Sequence, residues 1–165
     1  VVSCSSGSSD SNVETDTMTD LLGTTWQSPE CILDSLGFTK HTVTFQEEEL
    51  IFEYKRYGGD CTDPWGISFI NSRLVTYGNK VTTESGIQAT QIAVNTQFLP
   101  EDSLGDYKYD VIDYVYLNNG SVYFASKDSS DCANSIEVSS GSLRIMSACI
   151  EWSPKLDFDF PYNEI

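Results

Sequence analysis

Polar and apolar residues alternate along most of this chain. From residue 40 to 46, His41, Val43 and Phe45 take every second position, and polar residues take the others. A period of two is typical of a β-strand with one buried face. The same alternation predicts six more strands, at residues 50–57, 67–77, 80–84, 88–98, 107–117 and 121–125. The chain is therefore expected to be mostly β-sheet.

Turn sequences and one helical segment complete the predicted elements. Three clusters supply residues that adopt positive φ in tight hairpins, namely Gly58-Gly59, Tyr77-Gly78-Asn79 and Asn118-Asn119-Gly120. Residues 14–22 have a helical pattern, in which Thr17 and Asp20 have capping-box-like spacing and Gly23 marks the end. We expect one short helix followed by hairpins.

The predicted strands indicate an all-β fold. Strands without βαβ spacing must remove their exposed edges by closing into a barrel or by packing as a sandwich. We expect an antiparallel meander that closes into a lipocalin-like barrel. This preference rests on Gly23-Thr24-Thr25-Trp26, which resembles the start of lipocalin-like barrels, where glycine and tryptophan open the first strand. The family's motif has one residue between them, and this chain has two.

Length and charge limit the domain count and the partners. The chain has 165 residues, which suits one domain, and we assign residues 14–165 to it. Its 9 basic and 25 acidic residues give a formal charge of -16. Such a surface repels nucleic-acid phosphates and anionic lipids, so no nucleic acid is expected, and attachment to a membrane would need a lipid anchor. A cationic protein partner would be attracted.

The first residues carry a motif of their own. Val1-Val2-Ser3-Cys4 is followed by a Ser/Gly-rich stretch. This order resembles a bacterial lipobox, in which small or aliphatic residues precede a cysteine that receives a diacylglycerol group. The resemblance implies a signal peptide before Val1 and an exported protein anchored in the bacterial cell envelope through Cys4, and Ser5 suggests the outer membrane. Residues 1–13 would be a flexible tether; the alternative is an ordinary disordered terminus with a stray thiol.

Four further cysteines lie in the expected domain: Cys31, Cys61, Cys132 and Cys149. The chain has no C-x-x-C pair and one histidine, which leaves a zinc site short of ligands, so no metal is expected. An even set of cysteines is typical of disulfides formed in an oxidising compartment.

A closer resemblance covers residues 21–78. The matching positions are Trp26, Ser28, Cys31, Cys61 and Pro64, which form a W-x-S-x-x-C segment and a second cysteine near a proline. They are similar to the adenomatosis-polyposis-coli-down-regulated type domain, whose barrel-like β-domains bind lipidic groups. With this resemblance we expect a Cys31–Cys61 disulfide, which leaves Cys132–Cys149, although four cysteines allow three connectivities.

Catalytic motifs are missing from the sequence. His41 is the one histidine, and its alternation with Val43 and Phe45 indicates an ordinary strand residue. Carboxylates are abundant but fall mostly in predicted turns, and the acidic sets at 106–113 and 128–131 lack the spacing of a calcium loop. We expect neither enzyme activity nor a cofactor.

Aromatic side chains are the candidate ligand-binding groups. Those on segments expected to line the barrel are Trp26, Phe45, Phe52, Tyr54, Tyr114, Tyr116 and Phe124. Either they surround a cavity of roughly 300 Å³ or more, or they simply fill the core. The first case predicts an envelope lipoprotein that binds an apolar or lipidic small molecule. The second predicts a protein-interaction module, such as an inhibitor of a cationic enzyme like lysozyme.

Replacing the cysteine of the lipobox-like motif tests the anchor. Cys4→Ser removes the thiol that would carry diacylglycerol, so we expect the protein to move from the membrane fraction to the soluble fraction. The measurement is fractionation of intact cells that express the full gene, with Ser5→Ala as a control that keeps the thiol. Soluble wild-type protein would contradict the motif.

Overall fold

The computed structural model describes residues 17–34, 37–59, 61–98, 107–140 and 144–165. The expected lipobox and tether, and the first three residues of the expected helix, lie outside these ranges.

The described residues form one α-helix, one 3₁₀ turn and eleven strands. Helix α1 spans Thr17–Leu21, and the 3₁₀ turn spans Ser129–Asp131. The strands are β1 Thr25–Gln27, β2 Ile32–Asp34, β3 Gly37–Phe45, β4 Glu49–Tyr57, β5 Pro64–Thr82, β6 Gln88–Phe98, β7 Tyr107–Asn118, β8 Ser121–Phe124, β9 Cys132–Ser140, β10 Arg144–Trp152 and β11 Tyr162–Glu164. In this part of the chain no helix is both long and apolar enough to cross a membrane.

Eight of the strands close into an antiparallel barrel. Their order around the ring is β1, β3, β4, β5, β6, β7, β8 and β11, and β11 pairs with β1 to complete it. The remaining strands extend the wall, because β2 pairs with β3, and the β9–β10 hairpin joins β7 through the parallel pair Glu151 and Ile112. The predicted all-β fold, with a closed antiparallel barrel and one short helix, is confirmed.

One predicted hairpin is wrong, because β5 is a single long strand. The residues predicted as two strands, 67–77 and 80–84, are joined by a register shift between Tyr77 and Lys80. Gly78 does not form a turn there but allows β5 and β6 to approach closely. A Cβ at this position would lie 3.2 Å from the carbonyl oxygen of Gln91. The ladder to β4 uses residues 64–74 of β5, and the ladder to β6 uses residues 75–82.

The other two predicted turns do connect strands. Asn119 and Gly120 have φ of 49° and 75°, as a two-residue hairpin between β7 and β8 requires. Between β4 and β5 the Gly58 N–H donates to the Asp63 carbonyl, and the positive φ falls on Cys61, at 63°.

Two hydrophobic clusters hold the barrel together. The larger fills the interior near α1 and includes Leu21, Trp26, Phe45 and Leu50, each at most 2% exposed. The smaller lies on the outer side of the wall, and its buried members are Ala89, Tyr114, Ala125 and Leu156. The chain between β8 and β11 is thereby fixed against the outside of the barrel.

Both expected disulfides are confirmed. Cys31–Cys61 ties the segment after β1 to the loop between β4 and β5, and Cys132–Cys149 links β9 to β10. Both pairs have a Cα–Cα distance of 5.8 Å, within the usual range for disulfides.

Phe45 should contribute strongly to the stability of the larger hydrophobic cluster. It is fully buried, so Phe45→Ala leaves a cavity and should lower the free energy of unfolding by about 3–5 kcal/mol. Phe158, which is 45% exposed, is the matched control, and Phe158→Ala should cost less than about 1.5 kcal/mol. Urea denaturation followed by circular dichroism measures both, and equal losses would contradict the placement of Phe45.

Candidate functional site

The barrel interior is filled at one end and hollow at the other. Leu21, Trp26 and Phe45 pack near α1, whereas the interior farther from this helix holds a cavity of about 410 Å³. Its wall comes from β2, β3, β4, β7, β8 and β11, and from residues of the connection between β8 and β11. The volume exceeds the roughly 300 Å³ expected of a carrier.

Strand alternation decides which side chains reach the cavity. On the inner face of β3 and β4, Val43 pairs with Phe52, and His41 pairs with Tyr54. Val43 is fully buried in the core, while Phe52, His41 and Tyr54 line the cavity. The same face of these two strands therefore changes from packed core to cavity wall.

Aromatic rings form most of the apolar lining: Phe52, Tyr54, Phe124, Phe160 and Tyr162. Phe124 and Tyr162 meet edge to face, with ring centroids 5.5 Å apart. Phe124 also stacks on Phe45 of the core, at 6.1 Å. The floor of the cavity is thus continuous with the packed interior, and Ile32 adds aliphatic surface.

His41 contributes a polar edge to this lining. Its Nε2 lies 2.9 Å from the Thr39 hydroxyl, and its ring packs edge to face on Tyr54, at 4.8 Å. The half-buried position on β3 agrees with the ordinary strand residue that the sequence indicates.

Asp113 places a buried carboxylate in the wall of the cavity. Its Oδ1 accepts hydrogen bonds from the backbone N–H groups of Tyr114, at 2.8 Å, and Ala125, at 3.3 Å. Its Oδ2 forms an ion pair with Lys127, whose ammonium also lies 4.8 Å from the centroid of the Trp152 ring. Asp113 and Lys127 therefore neutralise each other at the rim.

Asp157 is the second carboxylate of the cavity. Its backbone N–H donates to the Phe124 carbonyl at 2.9 Å, which fixes this residue beside β8. One carboxylate oxygen accepts the Asp159 N–H at 3.1 Å. Among the described residues, no lysine or arginine forms an ion pair with Asp157.

Negative charge around the cavity affects the Tyr162 hydroxyl. Burial, followed by Tyr54, Asp113 and Asp157, raises the pKa of Tyr162 above its ordinary value. Each of these carboxylates opposes the formation of a tyrosinate anion. A further negative charge in the cavity would meet the same opposition.

The structure brings three of the seven predicted aromatic residues together. Phe52, Tyr54 and Phe124 line the cavity, whereas Trp26 and Phe45 belong to the filled end. Tyr114 and Tyr116 lie outside the barrel in the smaller cluster. Their strand has Val115 fully buried in the interior, and alternate residues point to opposite faces.

Sequence reasoning missed the other eight residues of the lining: Ile32, His41, Asp113, Ala125, Lys127, Asp157, Phe160 and Tyr162. A signal for Asp113 exists, because a lone acidic residue interrupts the apolar run Val111-Ile112-Asp113-Tyr114-Val115. Asp157 and Phe160 lie in an irregular connection whose sequence has no period to interpret.

Two of the acidic residues considered for calcium are bound to other side chains. Asp110 accepts a hydrogen bond from Asn95 at 3.0 Å, and Asp131 pairs with Lys155 at 3.0 Å. Within the described ranges, no group of three or more His, Cys, Asp or Glu side chains could hold a metal ion. Asp106, which the sequence grouped with Asp110, lies outside those ranges.

Tyr162 should make the fold sensitive to alkaline pH. Its pKa is raised from 10.0 on folding, so the stabilising contribution is present below about pH 10. It declines at higher pH, because the unfolded chain releases the proton first. We expect Tyr162→Phe to reduce the alkaline loss of unfolding free energy, measured by urea denaturation from neutral pH upward. The control is Tyr123→Phe, because Tyr123 lies on the neighbouring strand β8 but does not line the cavity. If both variants lose the same amount of unfolding free energy at alkaline pH, Tyr162 is not the cause of the loss.

Comparison with known proteins gives no relative. No family model matches the sequence, and no curated protein or solved structure matches the chain. A function must therefore be argued from the residues of the chain itself.

Proposed function

We propose that the barrel binds an apolar or lipidic small molecule in the aromatic cavity. The observation that carries this proposal is a space of about 410 Å³ inside a barrel whose other end is tightly packed. Sites for small molecules span roughly 300–1,000 Å³ and are lined mainly by apolar and aromatic side chains with a few polar groups. This cavity has the same size and composition.

The lining favours an organic ligand over water. Aromatic carbon offers few hydrogen bonds, and water stays in a cavity only where several polar partners surround it. An apolar ligand would displace weakly held water from the cavity and pack against Phe52, Phe124 and Tyr162. Asp113, Lys127 and Asp157, which come from β7 and the connection between β8 and β11, would orient the ligand.

The fold is compatible with a lipocalin-like carrier. Eight antiparallel strands enclose the interior, and α1 covers the filled end. Together with the Trp26–Pro64 resemblance, this supports a lipid-binding barrel. We propose no catalytic role for the cavity residues.

For location we propose an exported protein, lipid-anchored in the bacterial cell envelope at the outer membrane. The support is the order Val1-Val2-Ser3-Cys4-Ser5, together with two disulfides of the kind that form in oxidising compartments. Acylation of Cys4 would overcome the repulsion between an acidic protein and anionic lipids.

A second candidate is a module that binds a cationic protein, for example as an enzyme inhibitor. The charge of -16 would steer such a partner. The half of β5 that pairs only with β4 also exposes large apolar side chains, including Trp65 at 56%, Ile70 at 70% and Leu74 at 60%. Exposed apolar groups on a charged surface are typical of contact sites.

A charge placed in the cavity wall distinguishes the two candidates. Phe52→Arg puts a guanidinium among the aromatic rings, so we expect it to weaken binding of a fluorescent fatty acid about tenfold or more. Binding is measured by fluorescence titration, after near-ultraviolet circular dichroism has confirmed that the variant is folded.

The control adds the same charge outside the cavity. Ile70→Arg changes a 70% exposed residue on β5 and should leave the affinity within about twofold. If wild-type protein binds no fatty acid, fatty alcohol or alkylammonium compound saturably, the carrier proposal is lost and the interaction module becomes the better candidate.

A further inference from the structure

We propose that the cavity is specific for organic cations, in which an amine or quaternary ammonium group is joined to a short apolar body. This inference rests on the carrier function proposed above and names the ligand class. It follows from the combination of aromatic rings with one carboxylate, Asp157, that forms no ion pair with a lysine or arginine of the described residues.

The rings are of the kind that attract cations. Phe52, Tyr54, Phe124, Phe160 and Tyr162 surround the same space, and the face of each ring carries partial negative charge. Aromatic cages bind quaternary ammonium groups through this charge, and the attraction grows when the cation leaves water. The apolar body of such a ligand would be buried against the same rings.

Asp157 supplies the formal charge. Asp113 is matched by Lys127, whose ammonium is also held over Trp152, so this pair adds little net charge. In the described part of the chain, Asp157 has no such cationic partner, and it lies in the wall between Phe124 and Phe160. A bound organic cation would neutralise the Asp157 carboxylate.

The alternative is a ligand with an anionic head, for which Lys127 is the one lysine or arginine among the described lining residues. To bind there, a carboxylate would have to take Lys127 from Asp113 and leave that buried acid unpaired, which is costly. It would also approach Asp157 and the negative surroundings that disfavour ionisation of Tyr162. The geometry therefore favours the cation.

Three probes of equal chain length separate head group from apolar body: octyltrimethylammonium, octanol and octanoate, each used below its micelle concentration. Isothermal titration calorimetry of the full chain should give one saturable site, with the ammonium compound bound about tenfold more tightly than octanol and octanoate bound most weakly.

Matched variants assign that preference to the cavity. Asp157→Asn keeps the oxygen that accepts the Asp159 N–H, and it should weaken octyltrimethylammonium binding about fivefold or more while octanol changes less than about twofold. Asp159→Asn removes the same charge from an exposed residue and should change neither affinity by more than about twofold.

A second pair of variants tests the rings. Phe160 and Phe158 are similarly exposed, at 47% and 45%, but only Phe160 lines the cavity. Phe160→Leu should weaken the ammonium compound more than it weakens octanol, and Phe158→Leu should affect neither.

The outcomes separate this inference from the proposed function. Saturable binding of octanol or octanoate as tight as that of the ammonium compound would overturn the cation preference and keep the carrier. Equal losses in Asp157→Asn and Asp159→Asn would also overturn it, since the overall acidity of the protein would then explain the affinity. If none of the three probes binds saturably, both the cation preference and the carrier function are contradicted.

Discussion

Closure of the barrel depends on a short ladder between the first and last strands. β1 pairs with β11 through Trp26–Glu164 and Gln27–Asn163, and the Ile165 N–H adds a bond to the Thr25 carbonyl at 3.0 Å. Without this ladder β1 and β11 would be left as open edges, since their other sides pair with β3 and β8. Because the chain must return from β8 to this closing position, its connection passes the hollow end of the barrel. Asp157 and Phe160 reach the cavity for that reason.

The periodic part of the fold could be predicted from the sequence. Alternation predicts β6 at residues 88–98, where it lies, and places β3 and β4 within a few residues of their ends. These strands have one face in the barrel interior, so apolar and polar residues alternate along them and the strands can be recognised from the sequence. Gly78 was misleading, since glycine is equally suited to a turn and to the close approach of two backbones, and only the tertiary structure separates these cases.

The candidate site could be predicted less well than the fold. Phe52 and Tyr54 follow from alternation on β4, but alternation alone does not tell which face of β7 is interior, and Tyr114 and Tyr116 lie outside. The connection before β11 covers that outer face through Leu156, so both faces of β7 are buried there and its apolar pattern is ambiguous. The residues that give the cavity its charge come from this strand and from that connection.

The division of β5 between two ladders has a mechanical consequence. Its residues 64–74 belong with β4 and its residues 75–82 with β6, so the ring is complete only over part of its height. On the side of Val75 that carries residues 64–74, the wall consists of two separate sheets. One contains β2, β3, β4 and this part of β5, and the other contains β6, β7 and the β9–β10 hairpin. Among the described residues, no ladder joins these sheets across the gap beside β5. At this gap the backbone hydrogen bonds of the described residues stay within each sheet, so the wall beside β5 is held less firmly than the rest of the closed ring.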